Sequence, residues 1–200
     1  MRVVYIHGFA GGANSNKIKI LRREIGGGTI IAPAFAVDAN VCETQLDNII
    51  LQLVESADPN QPSKFPIVFV GTSLGGFWAN YAAQRYDTPC ILINPATKPS
   101  VTLRKYLGKA YRDHLTGEKI FLTEDTIQTY LEREKYLADH TNGALINLMV
   151  AKDDSVIDYQ MTLKNLPNVN SLMVSDTGGH SFNNAMPMAI QKIMELCLHK

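Results

Sequence analysis

The sequence has no net charge and no long apolar run. Its 19 basic residues balance its 19 acidic residues, so the chain lacks the positive field that attracts nucleic acid or an anionic membrane. No apolar run is long enough to cross a bilayer, and the first residues lead into a short apolar stretch rather than the hydrophobic core of a secretion signal. We therefore expect a cytoplasmic protein with no nucleic-acid or membrane partner.

Cysteine is scarce, with only Cys42, Cys90 and Cys197 in the chain and no Cys-x-x-Cys pair among them. An odd number of widely spaced cysteines is typical of reduced core thiols rather than of a disulfide framework or a zinc site. Histidines and carboxylates also lack metal-ligand spacing. The sequence therefore predicts neither a bound metal nor another cofactor.

The most informative stretch is Gly71-Thr72-Ser73-Leu74-Gly75. It follows the apolar run 66–70, which is rich in β-branched residues, and precedes residues 77–83, which have helical character. Strand, Gly-x-Ser-x-Gly and helix is the context that a nucleophile elbow requires. A plain glycine turn before a helix produces the same pattern, so the interpretation depends on the rest of the chain.

The rest of the chain alternates short apolar strands with helices that have one apolar face. Strands are predicted over residues 3–6, 29–32, 66–70, 89–93, 144–150 and 169–174. This alternation predicts an α/β fold in a single domain, with a compact six-stranded, mostly parallel sheet and helices on both faces. Right-handed crossovers would bring the carboxyl ends of these strands to one edge of the sheet.

Capping residues indicate where three of the helices begin. Asn14 or Ser15 suits the start of the first helix, and Asn40 with Glu43 resembles a capping box. Thr123, which is followed by two acidic residues, suits a helix start further along.

Between about residues 98 and 140 the apolar periodicity weakens and polar residues increase. We interpret this segment as a small helical cap inserted between elements of the sheet. The alternative is an ordinary long crossover. We expect such a cap to shape the acyl pocket.

Three residues in the order Ser73, Asp154 and His180 could form a catalytic triad. A serine hydroxyl needs a neighbouring base, and the base needs an orienting acid. His180 follows two glycines after the last predicted strand, and the chain order Ser, Asp, His is that of α/β-hydrolases. Asp153 is the alternative acid, whereas Asp158 suits the start of the next helix.

The glycine-rich loop after the first strand is a candidate oxyanion hole. We expect the backbone N–H groups of Phe9 and Leu74 to stabilise the oxyanion. His7 in the same loop is assigned a structural role, as a hydrogen-bonding residue that fixes the loop. Asn94, which ends a strand beside the elbow, is a candidate to steady the nucleophile loop.

The chain resembles the small bacterial esterases of the YqiA type, a family of α/β-hydrolases of about this length. The matching stretches are residues 5–9, 71–76, 93–96, 106–108, 116–117, 154–159 and 178–182. The family pattern at the acid reads Gly-Asp-Glu-Val, and alignment on Val156 puts its aspartate on Asp154 and its glycine on Asp153. Some relatives have glycine at the elbow serine, but this sequence keeps Ser73.

The resemblance implies carboxylesterase activity on short acyl esters, and also on acyl thioesters. The leading hypothesis is a serine carboxylesterase that binds a small acyl ester and forms an acyl-enzyme intermediate. An acyl-CoA thioesterase or acyltransferase with the same triad is the second hypothesis. The third is a non-catalytic binding protein with a hydrolase fold.

Overall fold

The structure, a computed structural model, describes residues 2–9, 11–26, 29–55, 67–113 and 116–198. Six parallel strands form its main sheet: β1 (Arg2–Ile6), β2 (Ile30–Ile31), β3 (Ile67–Thr72), β4 (Cys90–Ile93), β7 (Ile146–Ala151) and β8 (Ser171–Ser175). Two further strands, β5 (Ala110–Arg112) and β6 (Lys119–Phe121), form an antiparallel ribbon. The predicted six-stranded α/β architecture is confirmed.

Helices connect the strands of the sheet. They are α1 (Asn16–Ile25), α2 (Ala39–Glu55), α3 (Leu74–Tyr86), α4 (Pro99–Thr102), α5 (Glu124–His140), α6 (Tyr159–Asn165) and α7 (Met186–Leu198). Short 3₁₀ turns cover Arg104–Tyr106, Gly143–Leu145 and Asn183–Ala185. Within the described ranges, no helix has the apolar length that crossing a membrane requires.

The strand order is β2-β1-β3-β4-β7-β8. From β1 the chain first adds β2 on one side and then returns to add β3 on the other, so the winding direction reverses between β1 and β3. Ligands of open α/β sheets bind outside the carboxyl ends of the strands at such a reversal. The loop after Ile6 and the turn after Thr72 therefore flank the expected binding crevice.

The core has two layers, one on each face of the sheet. Successive residues of β3 point to opposite faces, so Phe69 packs against α2, α3 and α5 while Val68 and Val70 pack against α1 and α7. All six residues of β3 are buried, as expected for a central strand covered by helices on both sides. This burial holds the end of β3 in a fixed place.

Most predicted helix starts are confirmed. The Ser15 hydroxyl accepts a hydrogen bond from the Ile18 N–H at the start of α1, and Thr123 caps α5 in the same way. The capping box at Asn40 is wrong. Asp38 Oδ1 accepts from the N–H groups of Asn40 and Val41, both at 3.0 Å, and thereby caps α2.

The strand boundaries differ slightly from those predicted. Residues 143–145 form a 3₁₀ turn, and the fifth strand of the sheet therefore begins at Ile146 rather than at Ala144.

Cys42 and Cys90 are free, buried thiols. The side chain of Cys197 lies outside the part of the chain that the structure describes.

Residues 98–140 connect β4 to β7 and contain α4, the β5–β6 ribbon and α5. The start of α5 contacts the core, since Ile127 and Tyr130 are fully buried and the Tyr130 hydroxyl donates to the Val37 carbonyl at 2.6 Å. The cap interpretation of this segment stays a prediction. The contacts of α5 nevertheless fix it to the sheet layer.

Glu43 of α2 is the centre of a polar cluster that ties α5 and α3 to α2. Its carboxylate accepts from the Tyr81 hydroxyl at 2.8 Å, from Arg85 Nη1 at 2.6 Å and from Arg133 Nη2 at 2.5 Å, while Arg133 also donates to Asn40 Oδ1 at 2.7 Å. Burial raises the pKa of the Glu43 carboxyl, but these hydrogen bonds and the two arginine charges outweigh burial. The pKa therefore lies below its usual value.

We predict that Glu43→Gln lowers the free energy of unfolding near neutral pH by about 1.5–3 kcal/mol, the usual contribution of hydrogen bonds to a charged group. Because the folded-state pKa of Glu43 is depressed, its contribution is present above the unfolded-state pKa of about 4.3 and is lost as the pH falls below it. Urea unfolding at about pH 7 and about pH 4 should show the difference shrinking. The matched control is Glu55→Gln, at the exposed end of α2. An equal loss of stability in both variants contradicts the assignment.

Candidate active site

Ser73 lies in a strained turn between β3 and α3. Its backbone angles, φ of 57° and ψ of −123°, fall in a region that residues other than glycine rarely adopt. A Cβ at Gly71 would lie 2.0 Å from the Gly75 carbonyl oxygen, and a Cβ at Gly75 would lie 2.0 Å from the Ile6 carbonyl oxygen. The turn is therefore possible only with glycine at both positions, which explains the Gly-x-Ser-x-Gly pattern.

Backbone hydrogen bonds hold the turn against its strain. The Ser73 N–H donates to the Ile93 carbonyl at 3.1 Å, and the Ser73 carbonyl accepts from the N–H groups of Gly76 and Ala96, both at 2.9 Å. The residue thus belongs at once to the end of β3, the start of α3 and the loop after β4. This arrangement presents the hydroxyl at the carboxyl edge of the sheet.

His180 reaches the serine from the loop after β8. Its Nε2 lies 3.1 Å from Ser73 Oγ, and its Nδ1 lies 2.9 Å and 3.0 Å from the two carboxylate oxygens of Asp154. The structure therefore brings together the three side chains that the sequence singled out as a triad. Residues separated by as many as 107 positions meet within hydrogen-bonding distance.

Asp154, rather than Asp153, is the carboxylate beside the imidazole. Its side chain is 1% exposed, and it accepts from the N–H groups of Val156 at 2.7 Å and Ile157 at 3.0 Å. Burial raises the pKa of Asp154, but the hydrogen bonds from His180 and from these two backbone groups outweigh burial and hold the pKa below its usual value. The carboxylate therefore stays ionised and keeps the Nδ1 proton of His180 facing it.

Asp153 and Asp158, the other two acids that follow β7, have different partners. Asp153 accepts from the N–H groups of Gly178 at 3.2 Å and Gly179 at 2.8 Å, and so supports the backbone that carries the histidine. Asp158 caps α6, since its Oδ1 accepts from the Gln160 N–H at 2.8 Å. Asp154 thus orients the imidazole, Asp153 holds the loop that carries it, and Asp158 caps the next helix.

The side chain of Asn94 makes contacts that the sequence did not predict. Its Nδ2 donates to the carbonyls of Gly179 at 2.9 Å and His180 at 3.3 Å, while its Oδ1 accepts from the Ala151 N–H at 2.8 Å. It therefore ties the histidine loop to the end of β7, rather than steadying the nucleophile loop as the sequence suggested. Its φ of 43° is a left-handed conformation that asparagine tolerates. The Asn-Pro dipeptide in the sequence does not by itself indicate this conformation or these contacts.

The loop after β1 lies against the serine. A Cβ at Gly8 would lie 3.2 Å from Ser73 Cβ, a tight contact that shows how closely the loop approaches the serine. Phe9 follows, and its ring packs against the rings of Tyr106 and Tyr111, each with a centroid distance of 4.7 Å. Phe9 and Leu74 both line the cavity beside Ser73, where the predicted oxyanion donors belong.

His7 fixes this loop and is not a second base. Its Nδ1–H donates to the Gly8 carbonyl at 2.8 Å, and its Nε2 accepts from the Phe35 N–H at 2.9 Å. A carbonyl acceptor and an amide donor together select the neutral tautomer with the proton on Nδ1. Besides His7 and His180, the chain has three histidines. His140 Nδ1 lies 2.8 Å from the Tyr136 carbonyl oxygen, and His114 and His199 lie outside the described residues.

A cavity of about 450 Å³ opens beside Ser73 and His180. Its apolar lining includes Tyr5, Phe9, Leu74, Leu103, Tyr106 and Ile157. A second cavity, of about 520 Å³, lies beside α3 and α5 and contains none of the three triad residues. In the described residues, no group of three or more histidine, cysteine or carboxylate side chains could hold a metal ion.

We predict that Gly71→Ala disrupts this site by disrupting the fold around it. The added methyl would lie 2.0 Å from the Gly75 carbonyl oxygen, which the buried elbow cannot move. The expected loss is more than about 4 kcal/mol in the free energy of unfolding, or failure to fold. Gly117→Ala is the control, because its methyl would meet only Arg112 Nη2 at 3.8 Å and its main penalty is the positive φ. Equal stability of the two variants, measured by urea unfolding and soluble yield, would show that the elbow is not close-packed.

Comparison with solved structures identifies the fold. Est1E from Butyrivibrio proteoclasticus is 16% identical, with a TM-score of 0.67 over 98% of this chain and 86% of that chain. The monoacylglycerol lipase of Paleococcus ferrophilus is 17% identical, with a TM-score of 0.66 over 99% and 94%. Alpha/beta hydrolase domain-containing protein 10 from mouse is 14% identical, with a TM-score of 0.63 over 98% and 88%. These likenesses establish the α/β-hydrolase fold.

Comparison with protein families covers nearly the whole chain. Residues 2–197 match the Uncharacterised protein family UPF0227. The predicted membership of a YqiA-type α/β-hydrolase family is confirmed by this match together with the structural neighbours. The chain therefore belongs to the UPF0227 family and has the α/β-hydrolase fold.

Proposed function

We propose that the protein is a serine carboxylesterase that hydrolyses short-chain acyl esters through an acyl-enzyme intermediate. The observation that carries this proposal is the continuous hydrogen-bonded path from Asp154 through both ring nitrogens of His180 to Ser73 Oγ. A serine alone does not attack an ester, whereas a serine with a positioned and oriented base does. The strained backbone of Ser73 supports the same hypothesis, because backbone strain is concentrated at functional sites.

The mechanism follows from these distances. Ser73 Oγ attacks the ester carbonyl carbon as its proton passes to His180 Nε2, which is 3.1 Å away. The tetrahedral oxyanion accepts hydrogen bonds from the backbone N–H groups of Phe9 and Leu74, each contributing about 2.7–4 kcal/mol to the transition state. The carbon–oxygen bond to the alcohol then breaks, and the alcohol leaves with the proton from His180.

Water completes the cycle. His180 takes a proton from water as the water oxygen attacks the acyl carbon, and the resulting tetrahedral species releases the carboxylic acid. The proton returns to Ser73 Oγ, so the enzyme is regenerated without any redox change. Asp154 remains ionised throughout and stabilises the imidazolium that forms in both steps.

We infer a preference for short acyl groups from the residues that line the cavity. Leu103 and Tyr106 reach it from the segment over residues 98–140, and the Phe9 ring packs on Tyr106. We infer that this segment acts as the predicted cap and limits the acyl chain. Neighbours of the same fold are named as a lipase and a hydrolase domain, which agrees with ester hydrolysis.

We predict that Ser73→Ala lowers kcat for p-nitrophenyl butyrate by at least about 10³-fold, because it removes the atom that forms the covalent bond. Ser181→Ala is the matched control, since Ser181 lines the same cavity but takes no part in the triad. The control should keep activity close to that of the unmodified protein. Undiminished activity in Ser73→Ala, with the fold verified by circular dichroism, would falsify the proposal.

We predict that Asp154→Asn lowers kcat by about 10³–10⁴-fold, because an amide can direct its N–H at the ring and select the wrong tautomer. Asp158→Asn is the control, since asparagine caps a helix as well as aspartate does. The depressed pKa of Asp154 keeps its carboxylate ionised near neutral pH, where the two variants are compared. Equal effects of the two variants contradict the mechanism.

A further inference from the structure

Two lysines, Lys17 and Lys105, line the cavity beside Ser73. None of the described residues that line the cavity is an aspartate or glutamate. Asp154 lies behind the imidazole with its side chain 1% exposed. The protein has no net charge, so this one-sided lining does not reflect an overall excess of lysine and arginine.

Lys17 is the unusual member of this set. It lies in the first turn of α1 and is 7% exposed, although lysine is almost never buried without a partner of opposite charge. Its Nζ donates to the carbonyl of Ser181, and within the described residues no carboxylate pairs with it. Burial lowers the pKa of the Lys17 ammonium because the charged form loses water without gaining a counter-charge.

The contact with Ser181 does not by itself account for a lysine. One carbonyl requires one N–H donor, whereas an ammonium carries three donors and a full positive charge. A buried charge without a partner is costly, and sites that keep one generally use it. Lys17 lines the same cavity as Ser73, so a ligand bound beside the serine would lie next to this lysine.

Lys105 adds a second positive charge to the cavity lining. Its side chain is exposed, and its Nζ lies 5.3 Å from the centre of the Tyr106 ring. An exposed ammonium is screened by solvent and contributes mainly to attraction during encounter. The buried Lys17 is therefore the group that would discriminate between bound substrates.

We propose that the ester cleaved at Ser73 carries an anionic group, a carboxylate or a phosphate, and that this group binds Lys17. The inference rests on the proposed esterase function and adds the charge of the substrate to it. The anion supplies the counter-charge that the buried ammonium lacks. Lys17 is thus a specificity-determining residue and takes no part in bond breaking.

The test compares esters in pairs, each with one anionic and one neutral member. The first pair is mono-p-nitrophenyl adipate and p-nitrophenyl hexanoate, with the carboxylate on the acyl side. The second is p-butyryloxybenzoate and p-acetylphenyl butyrate, with the carboxylate on the leaving group. The third, p-butyryloxyphenyl phosphate and p-methoxyphenyl butyrate, replaces that carboxylate by phosphate, so the three arms distinguish the source and position of the anion.

The expected result is a kcat/KM at least about 10-fold higher for the anionic member of one pair or more. Lys17→Met should lower that value by about 10- to 100-fold, the range for a hydrogen bond to a charged group, and leave the neutral member nearly unchanged. Lys17→Arg should restore part of the preference because it keeps the charge. Lys19→Met, on the exposed side of the same helix, is the matched control and should change neither value.

Two results would overturn the inference. One is a preference for the neutral member in all three pairs. The other is an equal loss for anionic and neutral substrates in Lys17→Met, which would mean that Lys17 only holds the Ser181 carbonyl and hence the histidine loop. Lys17→Gln checks this directly, since it keeps an N–H donor but removes the charge.

Binding of hydrolysis-resistant analogues separates this inference from the esterase proposal. Calorimetry with the anilide analogues of the three pairs, on the unmodified protein and on Lys17→Met, measures affinity without turnover. Lys17-dependent binding of an anionic anilide, with no hydrolysis of any ester, supports the anion site and refutes the esterase. Ser73-dependent hydrolysis without any discrimination by charge, in turnover or in binding, supports the esterase and refutes the anion site.

Discussion

The hydrogen bond between His180 Nε2 and Ser73 Oγ, 3.1 Å long, is the interaction on which the rest of the site depends. Both partners are held by backbone that is strained or tightly turned. Ser73 has a positive φ, and the two residues before His180 are glycines with φ of 149° and 57°. Such conformations persist only where the surrounding structure over-determines them. In this chain the surroundings are a buried central strand on one side and a set of loop hydrogen bonds on the other.

The loop that carries the histidine is held from two directions. The Asp153 carboxylate accepts hydrogen bonds from the N–H groups of Gly178 and Gly179. The Asn94 side chain donates hydrogen bonds to the carbonyls of Gly179 and His180. Neither side chain touches Ser73 Oγ. Each nevertheless helps to determine where the imidazole lies, because it fixes the backbone at or directly before His180. The acid loop, the histidine loop and the end of β4 thus form one connected unit.

Most of the fold could be predicted from the sequence because it follows from local patterns. The apolar run before Gly71 is long enough for a strand and too short for a helix, and glycine is required at Gly71 and Gly75 by close packing that the motif already encodes. The order of Ser73, the aspartates and His180 likewise indicated which residues would meet. Parallel strands bring their carboxyl ends to one edge, so sequence position alone predicted much of the juxtaposition.

The parts that could not be predicted depend on long-range contacts. Asn40 looked like a cap, but Asp38 caps α2 and Asn40 faces Arg133, which is 93 residues away. The sequence favours Asp154 as the acid, but two adjacent acids have no local signal that separates them, and only the contacts of His180 distinguish Asp154 from Asp153. The burial of Lys17 was also invisible, because it results from α1 packing beside a loop 164 residues further along the chain.

The most direct test of the central claim is covalent labelling with a fluorophosphonate, followed by intact-mass analysis and peptide mapping. If His180 activates Ser73, one phosphonyl group should add per chain, it should map to the peptide that contains Ser73, and His180→Ala should abolish it. Absence of an adduct on folded protein, or an adduct on another residue, would contradict the account.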